Sequence, residues 1–131
     1  MERDFRTALL DDSAIAALVE ARIYPSAYPQ KSTSKAIRFR KVAGDTGLHM
    51  QGSDGLSSAL VQVDLRAATA DEAYELRDAI VARLHGFHAV VGATDFRLIA
   101  IASDRGVDFD SSTPTDWFTA SVDFRVQWRA A

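Results

Sequence analysis

The spacing of hydrophobic and polar residues changes several times along the chain, and each change marks an element. Phe5, Ala8 and Leu9 fall at helical spacing behind acidic residues that suit a helix N-terminus, predicting a short helix over residues 2–10. Asp11-Asp12-Ser13 then offers N-cap side chains to a second short helix from Ala14 to Glu20. In RIYPSAYPQ, Pro25 and Pro29 suit an extended segment at a sheet edge rather than a central strand. From Ala36 to Val42 the period drops to two, with Ile37 and Phe39 on one face and Arg38 and Arg40 on the other. Residues 44–55 are glycine-bearing, end in Asp54-Gly55 and read as a long hairpin connection. The return strand runs from about Ser58 to Ala67, alternating Val61, Val63 and Leu65 with Gln62, Asp64 and Arg66.

Thr69 opens the run T-A-D-E. Its hydroxyl is placed to accept the N–H of Glu72, while Glu72 can reach back to the Thr69 N–H. Ala73, Leu76, Ile80 and Leu84 continue as an apolar stripe flanked by Tyr74 and Val81, and Gly86 sits where a left-handed residue ends a helix. Phe96 to Ala102 is apolar at nearly every position, as for a strand covered on both faces. Trp117 to Arg129 alternates throughout, with Trp128 assigned to the core and Trp117 bordering a loop as a possible exposed anchor. Residues 103–116 between these strands read as a polar acidic loop. The expected fold is α+β: an antiparallel-rich sheet of about four strands, one long helix on its apolar face and short N-terminal helices, all in one domain over 1–131.

Composition narrows the function classes. A net charge of −3 argues against general attraction to nucleic acid or an anionic membrane. The chain has no cysteine, so disulfides and thiolate metal sites are excluded. The longest apolar run, Ala14 to Val19, is far short of the ~20 residues that span a bilayer. Charge is nevertheless segregated. Arg22, Lys31, Lys35, Arg38, Arg40 and Lys41 form a basic stretch without acids, whereas Asp95, Asp104, Asp108, Asp110, Asp116 and Asp123 face only Arg97 and Arg105.

Candidate chemistry is sparse. His85 and His88 flank Gly86 and read as two surface imidazoles, with no carboxylate cluster to make them a metal pair. His49 lies near Asp45, Ser53 and Asp54, but a triad is defined by geometry, and a polar hairpin loop explains these residues. No phosphate-cradling glycine pattern is present. Alternation sends Phe39 away from Arg38 and Arg40, so no base-stacking platform forms. No cofactor, metal or catalytic residue is expected, and the chain reads as a structural or binding protein.

The opening helices ending in ALVEARIYP, the run GLSSALVQVDLRAATADEAYELRDAIVARLHG and the closing SVDFRVQW resemble, in order, the tail-completion proteins of long-tailed phages. These are the tail-terminator or tail-to-head joining proteins, also found in prophages and gene transfer agents. QKSTSKAIRFRK is more basic than the apolar strand often found there. The resemblance implies a non-enzymatic ring, commonly a hexamer, that caps the tail tube and docks the head connector in the virion tail or gene-transfer-agent particle, assembled in the bacterial cytoplasm. It implies a homo-oligomer, the major tail tube protein and the head–tail connector as partners, with no specific nucleic acid and no membrane.

A closed ring needs two different complementary patches on each copy, and the segregated charge offers them. Arg38 or Arg40 of one copy is expected to meet Asp108, Asp110 or Asp116 of the next; pairing within one sheet, with Asp64 or Asp123, is the competing arrangement. His49, Met50 and Trp117 are the candidate contacts to tube or connector, on loops presented by a rigid sheet. The alternatives are a small ligand-binding or hydrolytic domain using the His49 loop, which requires a pocket of convergent polar groups, and a nucleic-acid accessory protein, which requires salt-dependent DNA binding.

Overall fold

Two short helices, α1 (Glu2–Leu10) and α2 (Ser13–Val19), open the computed structural model, which describes residues 1–30, 34–45, 56–110 and 117–131, with 43–45 described by backbone alone. They lead into β1 (Ile23–Pro25), β2 (Ala36–Asp45), β3 (Ser57–Ala67), α3 (Ala70–Leu84), β4 (Phe87–Val91), β5 (Thr94–Asp110) and β6 (Trp117–Ala130). Among the described residues the strands make one six-stranded sheet, ordered β1-β2-β3-β6-β5-β4. Every neighbouring pair is antiparallel except β1 with β2. No described helix is long and apolar enough to cross a membrane.

The local signals explain the elements. Asp12 accepts the Ile15 N–H at 3.1 Å to start α2, and Thr69 accepts the Glu72 N–H at 3.2 Å to start α3. The Glu72 carboxylate lies 3.8 Å from the Lys35 ammonium, tying the helix start to β2. Gly86 takes φ +82°, a conformation costly for any residue with a Cβ, and sends its N–H to the Ile99 carbonyl at 2.7 Å. The buried stripe of α3, Ala73, Leu76, Ile80 and Leu84, faces a core built with Val61, Val63 and Leu65 of β3 and Val122, Phe124 and Val126 of β6. Phe5 and Leu9 of α1 close the same core, with the Phe5 ring 5.6 Å from Phe39.

The N-terminal helices are fastened by directional contacts as well. Arg83 of α3 donates to the Ala8 carbonyl at 2.8 Å, and Arg6 donates to the Ile23 carbonyl at 2.7 Å. Asp4 accepts the Thr94 hydroxyl at 2.6 Å. The turn between β4 and β5 passes so close to Asp4 that a Cβ on Gly92 would sit 2.5 Å from its carboxylate oxygen, and Gly92 also holds φ +56°.

Three expectations are corrected. Among the described residues the sheet has six strands, not about four, because RIYP pairs as β1 and Phe87–Val91 forms β4. β4 carries no clear alternation: His88, Ala89 and Val90 are all exposed at the sheet edge. The strand expected over 96–102 runs from Thr94 to Asp110 and is not covered on both faces, since Leu98 is 43% exposed. A bulge between Phe96 and Leu98 puts Phe96 and Ile99, three apart, on the core face, which mimics a continuously buried run. Most of the supposed acidic loop, residues 103–110, is this strand, polar because it runs along an open edge.

Candidate functional site: the open face and margins of the sheet

The pleat that sends Val63 and Leu65 into the core sends Gln62, Asp64 and Arg66 to the face that α3 does not cover. Register aligns Arg38 of β2, Asp64 of β3 and Ser121 of β6 across that face. Arg38 Nε donates to Asp64 Oδ2 at 2.8 Å, Gln62 donates to Oδ1 at 2.8 Å, and the Ser121 hydroxyl donates to the same Oδ1. Burial alone would raise the Asp64 pKa. The three hydrogen bonds outweigh it and hold the carboxyl below its ordinary 3.8. One row along, Asp123 is buried and accepts from Arg105 at 2.6 Å. At the far end Asp95 is likewise held low, the donors Arg129 and Arg97 overcoming its desolvation.

Arg66 occupies the middle of an aromatic clamp. Its guanidinium lies 4.1 Å from the Tyr28 ring centre and 4.5 Å from that of Trp117. Burial draws its pKa down. The Tyr28 hydroxyl is buried without a hydrogen-bond partner among the described residues, and desolvation pushes its phenol pKa well up. These side chains, with Arg38, Asp64 and Ser121, line a solvent-open cavity of about 340 Å³. Trp117 is only 6% exposed, so it is not the free anchor expected: residue parity on β6 turns it onto the open face, beneath Arg66.

The sheet margins are less enclosed. β1 reaches only as far as Pro25 opposite Phe39, so among the described residues β2 from Arg40 onward lies at an edge. Arg40, Lys41 and Val42 are exposed there, and neither cation forms an ion pair among the described residues. On the opposite side β4 pairs with β5 only as far as Ile99. The remaining edge carries Asp104, Asp108 and Phe109, all exposed. The Asp104 carboxylate accepts the Gly106 N–H at 2.9 Å, and that of Asp108 accepts the Phe109 N–H at 2.8 Å.

A family model described as tail completion protein gp17 matches residues 3–128. The chain belongs to that tail completion family. Among solved structures, a chain of the virion of a native gene transfer agent particle is similar, with a TM-score of 0.66 at 15% identity over 95% of this chain and 90% of that one. At that identity the likeness concerns the fold. A comparison with curated proteins gives no match in sequence. As a tail completion protein the chain is a structural component of a phage-type tail, located in the virion tail.

Within this tail completion protein the expected site residues separate. Arg38 is engaged by Asp64 of its own chain, the within-sheet arrangement, because their strands are adjacent in register. Arg40 and Asp108 stand at opposite margins, while Asp110 lines the cavity opposite Trp117. Asp116, His49 and Met50 lie outside the described residues, as does most of the His49 loop. His85 Nδ1 accepts the Ile101 N–H at 3.2 Å and His88 is exposed on β4; no group of three potential metal ligands exists among the described residues. Sequence reasoning missed the Tyr28–Arg66–Trp117 clamp. The available signal was Arg66 and Trp117 sharing the non-core parity of paired strands, but nothing local shows Tyr28 folding over them.

Proposed function

We propose that this protein caps the tail tube as a closed ring of identical copies, commonly a hexamer in such proteins, and presents that ring to the head connector. The observation that carries the ring is the exposed basic margin at Arg40 and Lys41 on one edge of the sheet and the exposed acidic margin at Asp104 and Asp108 on the other. Two unlike patches on opposite edges favour head-to-tail association, which closes when the rotation permits. Arg40 with Asp108 is the leading pair between copies, with Asp110 and Asp116 kept as further candidate acidic partners; Arg38 serves its own sheet. His49 and Met50 are proposed to touch tube or connector, and Trp117 is withdrawn from that role because it is buried.

Deleting the gene is expected to yield separate heads and tails by electron microscopy, and adding the purified protein should restore joining. Arg40→Glu, at an exposed position, should leave folding within about 0.5 kcal/mol of the parent yet fail to restore joining. Normal joining without the protein would overturn the proposal.

A further inference from the structure

We propose that each copy docks the acidic end of β5 onto the basic margin of β2 in the next copy, with Phe109 seated against Val42 as the apolar anchor. This inference rests on the ring reading and specifies the surfaces that close it. Phe109 is 50% exposed and Val42 42% exposed, each at an edge where its strand has no neighbour on that side among the described residues. Their flanks are complementary: exposed Asp108 precedes Phe109, and exposed Arg40 and Lys41 precede Val42. Charge of opposite sign steers the correct edges together and disfavours like edges, so two β5 margins repel.

Phe109 is already ordered for this role. Its ring packs on Phe118 with centroids 5.0 Å apart, so little side-chain freedom remains to be lost on docking. Buried aromatic anchors surrounded by polar contacts carry most of the free energy at interfaces of this kind. The Gly106 and Phe109 N–H groups are occupied by Asp104 and Asp108, which blunts the edge against indiscriminate strand pairing and leaves recognition to side chains.

The chain contains no cysteine, which makes an introduced pair unambiguous. Val42→Cys and Phe109→Cys in one chain lie on opposite edges of the sheet, so they form bonds between copies rather than within one. Oxidation of assembled tails carrying this double variant should give a ladder of covalent multimers on a non-reducing gel, and each single variant should give none. Lys41→Cys with Asp108→Cys, which keeps both apolar anchors, should give the same ladder. If tails show a terminal ring by electron microscopy but both pairs run as monomer, or crosslink only to tube protein, this interface is wrong and the ring reading stands. If the tails carry no terminal ring, the ring reading falls and this inference falls with it.

Discussion

β3 presents two surfaces from one run of residues, and they are buried by different means. Val61, Val63 and Leu65 meet the helices, where shape and apolar area suffice. Gln62, Asp64 and Arg66 lie on the other face, yet Asp64 and Arg66 are only 6% and 9% exposed. No described helix covers them; hydrogen-bond donors and the rings of Tyr28 and Trp117 do. The first face tolerates any well-packed apolar set of the right volume, whereas the second works only with partners at defined positions. Stability therefore resides mainly under α3, while the open face fixes how the strands and their margins are held.

That contrast can be broken by substitution. Phe124→Ala, which empties a fully buried site under α3, should cost about 3–5 kcal/mol in urea unfolding. A loss below about 1 kcal/mol would mean that the helical face is not the main store of stability.

Asp64→Ala should cost less, about 2–3 kcal/mol, because Arg38 is partly solvated and can recover water when its partner is removed. Its pH dependence distinguishes the faces. The folded Asp64 carboxyl lies below 3.8, so its contribution is complete above that value and is lost as pH falls through the folded pKa. The stability gap between parent and Asp64→Ala should be full at neutral pH and narrow below about pH 4. The gap for Phe124→Ala should not narrow in that way. An Asp64 gap independent of pH would remove the electrostatic account of the open face.

The smallest effect belongs to a local signal outside both faces. Thr69→Ala removes the cap of α3 and should cost about 1 kcal/mol by thermal or urea unfolding. A cost as large as that of Asp64→Ala would show the cap to be part of the tertiary network rather than a local device.

Elements whose physics is local were legible in the chain. The pleat of β2, β3 and β6, the caps at Asp12 and Thr69, the stripe of α3 and the left-handed Gly86 each depend on residues a few positions apart. The tail-completion resemblance was legible for the same reason, being an ordered series of such patterns. What failed was local inference about edges and bulges: β4 has too few buried residues to alternate, and the bulges of β5 shift its period, so a strand looked partly like a loop.

Only the tertiary structure decided the partners of the charges. Arg38 and Asp64 are 26 residues apart, and register brings them together. Trp117 looked exposed beside a polar loop until Arg66 and Tyr28 closed over that end of the sheet. Periodicity tells a residue which face it occupies, because side-chain direction follows backbone geometry. It does not tell the residue what lies across that face, because register and chain reversal bring together segments that no local interaction connects.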